Sequence, residues 1–482
     1  MQDYVILVNL DKKICHALAR RLRADGTYCR IMPRTVTADE LLQAEPRGVL
    51  LCCPFTGKAA DIPQMLDYVQ SGLPMLCLGD SALTLCQTLG GELAPLQDGG
   101  IMSFDIDAED ALFSGMDSSE SYLSTLRGMV FTEDQGKACV TADGVAIGFH
   151  MRQRDVWGLA YTLDRNDPAT SQLLGNFCRN VCGCTPWWSE RAFIERAQAQ
   201  IVDAAGDGEA LCALSGGVDS GVTALLGQLA LGQKLRCLFI DTGFLREGEA
   251  DEVMDAYQTQ LGMVVRRVDA RAEFLLALNG ITDPGEKERT IRNLLREILR
   301  REAASFPNVK LILRGTNFAD TPDPNSATAT IGLPVVEPVK ELFKDEIRHV
   351  GESLGMPAAM STRQPFPGSG LSTRIMATVT AERLDILRTA DAIFRREIEA
   401  AGLQKRLWQY YAAMAISPLA DGGLMVILRA VQAAEGGAGL PARLPSDLLE
   451  RVTTDIIREC PDVQRVFYDC TPSRSYNMLS DN

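Results

Sequence analysis

The sequence has few histidines, an excess of acidic over basic residues, and no long apolar run. Only three of its 482 residues are histidine, His16, His150 and His349, which excludes a histidine-rich metal site. Lysine and arginine total 48 against 63 acidic residues, and the net charge of −15 argues against a protein that grips long nucleic acid. No apolar stretch approaches the ~18 residues that span a bilayer, and the start, MQDYVILVNLDKK, lacks the basic region of a signal peptide. These absences predict a cytoplasmic protein that binds neither membranes nor nucleic acid.

The length fits two or three domains, and the sequence pattern changes along the chain. Residues 1–186 and 187–366 each alternate apolar strand candidates with helical stretches, which is typical of open parallel α/β sheets with helices on both faces. Residues 367–482 combine a long helix with later strand candidates and predict a small α+β unit. The 14 cysteines, without a secretory signal, are expected to be reduced thiols rather than a disulfide framework.

The most informative segment is an apolar strand candidate that runs into a glycine turn and then a helix. Two glycines let the backbone turn tightly and approach a ligand, and the free N–H groups of a helix N-terminus attract an anion such as pyrophosphate. An aspartate there suits a magnesium ligand or a helix cap, and the alternative is a plain corner in which the polar residues only cap. The segment is neither a Walker loop nor GxGxxG. Its residues are Ser215, Gly216, Gly217, Val218, Asp219 and Ser220.

SGGVDS resembles the pyrophosphate-binding loop of the N-type ATP pyrophosphatases, which cleave ATP between the α- and β-phosphates. Further segments extend the resemblance over essentially the whole chain, and together they are similar to the GMP synthetase family, which converts XMP to GMP. These segments are FIDTGFLR at 239–246, RGT at 314–316, VEPVKELFKDE at 336–346, RQPFPGSGL at 363–371, LRAV at 428–431 and VFYD at 466–469. The resemblance implies three domains: a class I amidotransferase-like open sheet (1–186), a doubly wound ATP pyrophosphatase domain (187–366), and a small α+β domain for dimerisation and substrate binding (367–482).

The resemblance also implies the chemistry and its residues. A xanthine oxygen attacks the α-phosphorus of ATP, pyrophosphate leaves, and ammonia then displaces AMP, with ATP and Mg²⁺ as cofactors. The implied catalytic residues are Asp219 and Lys344. The implied ATP-binding residues are the six of SGGVDS with Asp241, Gly315 and Thr316. Substrate-binding candidates are Asp320, Arg363, Pro367, Arg374 and Arg474, and magnesium-ligand candidates are Asp219 and Asp323. The alternatives are a solvated helix face for Lys344 and surface salt bridges for Arg363 and Arg374.

The N-terminal part departs from the family at its glutaminase. The family places a nucleophilic cysteine on a Gly-x-Cys-x-Gly elbow, where the thiolate attacks glutamine. Here the matching stretch is GLPMLCLGDS (72–81), which puts Gly79 at the nucleophile position, and the family's His-Pro-Glu aligns with 162–164, with Thr162 for the base and Asp164 for the acid. The glycine-rich oxyanion turn has become CCP (52–54). We therefore predict no glutaminase activity, and ammonia that is free or delivered by another protein.

Two substrate-binding pieces also differ, which keeps alternative functions open. The interval between Asp320 and Glu337 contains no Lys, Arg or His, unlike the family's basic lid, and the Lys-Pro-Pro tail is missing, with Arg474 as a substitute cation. The first hypothesis is amination of XMP by a homodimeric ligase. The second is a paralogue that adenylylates a different heterocycle or nucleotide, with sulfur transfer to tRNA as a weaker variant. The third is a non-catalytic nucleotide-binding protein.

Overall fold

The computed structural model describes residues 3–151, 153–161, 167–318, 332–361, 368–417, 423–433 and 439–472. The chain divides into two compact units, Met1–Phe193 and Ile194–Asn482. Among the described residues, no helix combines the length and apolarity needed to cross a bilayer. The three-domain division of the sequence stays a prediction beside this two-unit arrangement.

The first unit is built on a nine-stranded sheet with helices packed on it. Its strands are β1 Val5–Asn9, β2 Cys29–Pro33, β3 Gly48–Cys52, β4 Met75–Leu78, β5 Glu92–Leu93, β6 Gln97–Ile106, β7 Ser119–Leu126, β8 Met129–Val130, β9 Lys137–Ala142, β10 Val145–Met151 and β11 Val156–Leu159. Its helices are α1 Lys12–Ala24, α2 Ala38–Gln43, α3 Met65–Gln70, α4 Asp80–Thr88 and α5 Pro168–Asn176. The order is β2-β1-β3-β4-β11-β10-β9-β6-β7, with β5 and β8 paired separately.

This sheet is mixed, which corrects the expectation of an open parallel sheet. Strands β1 to β4 and β11 are parallel, whereas β10, β9, β6 and β7 pair antiparallel. The connection from β9 to β10 is the two-residue turn Asp143-Gly144, in which both residues have positive φ. Such a turn joins antiparallel strands directly, without the helical crossover that a parallel pair needs.

The second unit begins with an α/β sheet whose strands are all parallel. After α6 Glu190–Ala205, its strands are β12 Glu209–Leu214, β13 Leu235–Asp241, β14 Val265–Asp269, β15 Val309–Leu313 and β16 Val335–Val336. Its helices are α7 Val218–Leu231, α8 Glu249–Asp255, α9 Arg271–Ala277, α10 Pro284–Ala303, α11 Lys344–Ser353 and α12 Ala358–Ser361. The order β14-β13-β12-β15-β16 places the first strand in the middle, so the chain switches sides of the sheet at β12. In sheets of this kind, ligands bind beyond the carboxyl ends of the strands at that switch point.

The rest of the second unit is a four-stranded α+β segment. It contains α13 Ala381–Ala400, β17 Gln409–Ile416, β18 Leu424–Ala433, β19 Gly439–Pro441, α14 Ser446–Glu459 and β20 Val463–Tyr468. Strand β18 pairs antiparallel with β17 and β19 and parallel with β20. One continuous apolar core runs from Leu211 on β12 through Ile298 and Leu387 to Val463 on β20. The α/β sheet and the C-terminal segment therefore share buried side chains.

Candidate functional site

The loop between β12 and α7 is braced by its own hydrogen bonds, including one from Gly217 N–H to the Ser215 hydroxyl at 3.3 Å, and leads into a helix without a side-chain cap among the described residues. Gly216 has φ +78°, a conformation that favours glycine, and Gly217 precedes the helix without any side-chain cap. Ser215 and Ser220 brace the loop: their hydroxyl oxygens are 3.0 Å apart, and Ser215 N–H donates to the Ser220 hydroxyl at 3.2 Å. Because no described side chain caps α7, the amides of its first turn remain available to an anion.

Asp219, in the first turn of α7, joins residues that lie far away in the sequence. Lys344 Nζ, at the start of α11, donates to Asp219 Oδ2 at 2.6 Å, and Asn317 Nδ2 donates to the same oxygen at 3.1 Å. The other oxygen, Asp219 Oδ1, is buried and has no hydrogen-bond partner among the described residues. The two residues implied as catalytic are therefore in direct contact, and one carboxylate oxygen is left for a further ligand.

The carboxyl end of β15 packs closely against this helix start. A Cβ added at Gly315 would lie 2.6 Å from both the carbonyl carbon of Asp219 and the backbone nitrogen of Ser220, so only glycine fits. The next residue, Thr316, donates its hydroxyl to Glu337 Oε1 at 2.7 Å. The implied ATP-binding residues Gly315 and Thr316 thus border the loop, and the Thr316 hydroxyl is used within the protein.

Glu337, at the end of β16, is held as an anion beside this segment. Arg314 Nε donates to Glu337 Oε1 at 2.7 Å, the oxygen that also accepts from Thr316. Burial raises the pKa of Glu337, but the hydrogen bonds from Thr316 and Arg314 lower it more, so its pKa lies below the usual value. The site therefore contains two carboxylates, each bound through one oxygen to a cation.

Asp241 ends β13, beside the loop, and supports the turn that follows it. Its carboxylate is almost fully buried; Oδ1 accepts the Gly243 N–H at 3.0 Å and Oδ2 accepts from Arg267 at 2.7 Å. Both oxygens are therefore engaged within the protein. In this structure Asp241 shapes the turn next to the loop, and the ATP-binding role implied for it stays a prediction.

Arg374, which the resemblance implies as a substrate-binding residue, lies in the core. The side chain is 1% exposed, its guanidinium lies 4.3 Å from the centre of the Tyr411 ring, and Nη1 is 3.5 Å from Asp391 Oδ1. Burial lowers the pKa of Arg374. In this structure its contacts are with Asp391 and Tyr411, and a role in substrate binding stays a prediction. Five other implied residues lie outside the described residues: Asp320, Asp323, Arg363, Pro367 and Arg474.

The strand–turn–helix corner at Gly79 keeps an elbow conformation but has no room for a side chain. Gly79 has φ +72° and ψ −139° between β4 and α4. A Cβ there would lie 2.0 Å from the carbonyl oxygen of Cys53 and 2.9 Å from that of Pro54. The amide after the elbow, Asp80 N–H, donates to Pro54 O at 3.1 Å. The main chain of 53–54 thus occupies the place where a nucleophile would project.

The surrounding contacts fix this closed arrangement. The Asp80 carboxylate accepts the Thr56 and Gly57 N–H groups at 2.8 and 3.0 Å. Nearby Cys77 is fully buried, and burial raises the pKa of its thiol, which makes it a poor nucleophile. Thr162 and Asp164, the positions aligned with the family's base and acid, lie outside the described residues.

Comparison with known proteins finds relatives that align with nearly the whole chain. Residues 396–475 match the family model described as the GMP synthase C terminal domain. The chain is 34% identical to a glutamine-hydrolyzing GMP synthase of Caldicellulosiruptor saccharolyticus, over 97% of this chain and 98% of that protein. It is also 34% identical to the glutamine-hydrolyzing GMP synthase of Listeria monocytogenes serovar 1/2a, over 98% and 96% of the two chains. The chain belongs to the GMP synthase family.

A solved structure from Thermoplasma acidophilum, described as one subunit of a GMP synthase, covers 38% of this chain and 95% of its own. With a TM-score of 0.32 and 16% identity, the likeness is too weak to inform the fold. The sequence relatives, which span the chain end to end, carry the family assignment.

The described residues of this GMP synthase family member fit ATP and magnesium at the loop. An uncapped helix N-terminus and a positive-φ glycine suit the phosphates of ATP. Magnesium is usually held by one or two carboxylates together with substrate phosphates, and the unpartnered Asp219 Oδ1 suits that arrangement. Across the described part of the chain, no group of three or more His, Cys, Asp or Glu side chains could hold a metal without a substrate.

Sequence reasoning missed three side chains of this GMP synthase-family site: Arg314, Asn317 and Glu337. Arg314 directly follows β15, Asn317 follows three residues later, and Glu337 directly follows β16. Because ligands bind beyond the carboxyl ends of such strands, the position alone was a usable signal. Contacts with Asp219 and with each other could not be inferred from the sequence.

Proposed function

We propose that the protein is an ATP-dependent ligase that aminates XMP to GMP through an adenylylated intermediate, releasing AMP and pyrophosphate. One observation carries the proposal: the open loop at the switch point, with Asp219 and Lys344 in contact across it, in a chain that aligns end to end with GMP synthases. The carboxyl ends of β12 and β15 are where a nucleotide is expected to bind.

The residues would act on the charge that develops as pyrophosphate leaves. The xanthine oxygen attacks the α-phosphorus, and the first-turn amides of α7 with the Ser215 hydroxyl receive the departing phosphates. Lys344, now 2.6 Å from Asp219, would turn to a phosphate, and Asp219 would be released toward a cation. Bound magnesium would neutralise phosphate charge at Asp219. Ammonia then attacks the adenylylated carbon, AMP leaves, and one proton is released.

We propose further that ammonia comes from solution or from another protein, and not from glutamine hydrolysed in the first unit. The support is the closed elbow, where Gly79 has no side chain and the Cys53 carbonyl fills the space for one. Asp80 N–H, the amide that would stabilise an oxyanion, is already bonded to Pro54 O. Nucleophile and oxyanion donor act as a unit, so losing both removes the activity.

The test supplies the purified full chain with ATP, magnesium, XMP and either ammonium or glutamine. Ammonium should give AMP and GMP in equal amounts, and glutamine alone should give neither GMP nor glutamate. Asp219→Asn should lower the ammonium-dependent rate about 10²-fold, whereas Asp203→Asn, exposed on α6, should leave it unchanged. Absence of AMP with ammonium would exclude XMP amination, and glutamate release would exclude the ammonia proposal.

The second candidate is adenylylation of a different heterocycle or nucleotide at the same loop. Two observations favour it: the interval from Thr321 to Pro334 contains no Lys, Arg or His, and Arg374, a candidate substrate cation, is buried. Exchange of labelled pyrophosphate into ATP, screened over purine and pyrimidine nucleotides, would identify the acceptor. Exchange that depends on a nucleotide other than XMP would select this candidate. Failure of every acceptor, with Asp219→Ala leaving nucleotide binding intact, would favour a non-catalytic binding protein.

A further inference from the structure

The turn after β13, residues 243–246, borders the proposed ATP site. Strands β12 and β13 are parallel neighbours in which Leu214 lies opposite Phe239. The SGGVDS loop begins directly after Leu214, and the turn begins four residues after Phe239. A nucleotide seated on the loop would therefore lie against this turn, at the shared carboxyl end of the two strands.

Residues from Leu371 to Asp391 contact every residue of this turn, three through hydrogen bonds to their carbonyls and Arg246 through an ion pair. Arg388, on α13, donates from Nη2 to the carbonyl of Gly243 and from Nε to the carbonyl of Leu245 at 3.0 Å. Phe244 O accepts the Leu371 N–H at 2.7 Å, and Arg246 Nε lies 3.3 Å from Asp391 Oδ2. The carbonyls of Gly243, Phe244 and Leu245 thus accept hydrogen bonds, and Arg246 is held by the ion pair.

The chain segment just before α13 can approach the turn only with a glycine at position 370. Gly370 has φ +64°, and a Cβ there would lie 2.3 Å from the carbonyl oxygen of Phe244. This is the last glycine of PFPGSG, and its backbone lies against the turn. Arg388 then supplies the side-chain contacts, using two of its N–H groups on two carbonyls of one turn.

We propose that Arg388 is a positioning residue for ATP, which holds the 243–246 turn in the shape that the nucleotide meets. The proposal rests on the proposed function. Arg388 binds the backbone carbonyls on both sides of Phe244, and its planar guanidinium fixes their relative orientation in a way that a lysine cannot. Asp385, one turn earlier on α13, pairs with Arg388 at 2.6 Å and orients it.

The experiment compares Arg388→Gln, Arg388→Lys and Arg396→Gln in the full chain. Arg396 is a matched control, because it lies on the same helix and pairs with Asp455 at 3.2 Å instead of with the carbonyls of the turn. Initial rates are measured against ATP concentration with XMP and ammonium saturating, and thermal unfolding of each variant is recorded.

Arg388→Gln should raise the KM for ATP about tenfold while kcat falls less than about threefold, because binding geometry and not the chemical step is affected. Arg388→Lys should be intermediate, because one ammonium reaches one carbonyl, and Arg396→Gln should match the wild type. A folded Arg388→Gln with an unchanged KM for ATP would overturn the proposal, whatever its kcat. If Arg388→Gln does not fold, Arg388→Lys decides by the same criterion. A wild type that does not turn over ATP would instead refute the proposed function.

Discussion

Returning a cysteine to the elbow should destabilise the first unit without restoring glutaminase activity. In Gly79→Cys the new Cβ would lie 2.0 Å from the Cys53 carbonyl oxygen. That carbonyl cannot easily move, because Cys53 N–H is bonded to Leu78 O and Cys53 Sγ accepts the Ser81 N–H at 3.1 Å. Forcing a side chain into such a space costs about 1–3 kcal/mol, and the positive φ costs roughly 1–3 kcal/mol more. The sum, about 2–6 kcal/mol, corresponds to a melting point lowered by roughly 5–20 °C for a unit of this size.

Thermal unfolding of the full chain measures the first effect, and glutamate release from glutamine measures the second. Tryptophan fluorescence reports mainly on the first unit, because Trp157, Trp187 and Trp188 lie there and only Trp408 lies in the second. Gly72→Cys is the matched control: it also has a positive φ, +75°, but nothing lies within 4 Å of its added Cβ. It should lose only the backbone contribution, about 1–2 kcal/mol.

Two results would refute this reasoning. A Gly79→Cys variant that melts with the wild type and releases glutamate would show that the elbow accepts a side chain. Equal destabilisation by Gly72→Cys would show that backbone conformation, and not the Cys53 carbonyl, accounts for the loss. Gly79→Ala, which introduces the clash without a thiol, should melt like Gly79→Cys.

The remaining predictions concern the second unit. Gly315→Ala should lower the ATP-dependent rate about 10²-fold, because its Cβ would lie 2.6 Å from the backbone of the first turn of α7; a rate near wild type would contradict the packing. Lys344→Met should lower that rate about 10²–10³-fold and leave Asp219 without its cation, whereas Lys340→Met, which is exposed, should have little effect on the same assay. Burial lowers the pKa of Lys287 to about 8 from 10.5. Between these two pH values the unfolded chain therefore binds more protons than the folded chain. Stability should therefore rise from pH 8 to about pH 10.5, and urea midpoints should show that Lys287→Met removes this rise.

The sequence predicted those helices and strands whose local residue pattern favours the same conformation as their tertiary packing. The apolar strand candidate before SGGVDS is β12 (Glu209–Leu214), and the long helix expected in 367–482 is α13 (Ala381–Ala400). The first is a continuous apolar run before a glycine turn, and the second has apolar residues at helical spacing after the capping residue Thr380. Local signals were sufficient there because tertiary packing did not oppose them.

Strand β17 was missed because its sequence carries no strand pattern. The segment Gln409–Ile416, QYYAAMAI, is alanine-rich and shows no alternation, since nearly all of its residues are buried on both faces. Pairing with β18 decides its conformation, and that pairing cannot be inferred from the sequence of the segment alone. In the first unit, by contrast, Asp143-Gly144 is a recognisable two-residue hairpin signal that would have predicted antiparallel strands.

The chain contains two similar corners with opposite consequences, which shows why the local motif alone does not decide function. Gly79 and Gly216 each lie between a parallel strand and a helix with φ near +75° (+72° and +78°). At the first corner, the amide that follows is bonded to Pro54 O, and a carbonyl fills the space above the glycine. At the second, Gly217 N–H donates to the Ser215 hydroxyl at 3.3 Å, but the described residues give α7 no side-chain cap and leave Asp219 Oδ1 without a hydrogen-bond partner. A helix N-terminus binds an anion only where its amides are not already satisfied by the protein, so chemistry is expected at the second corner and not at the first.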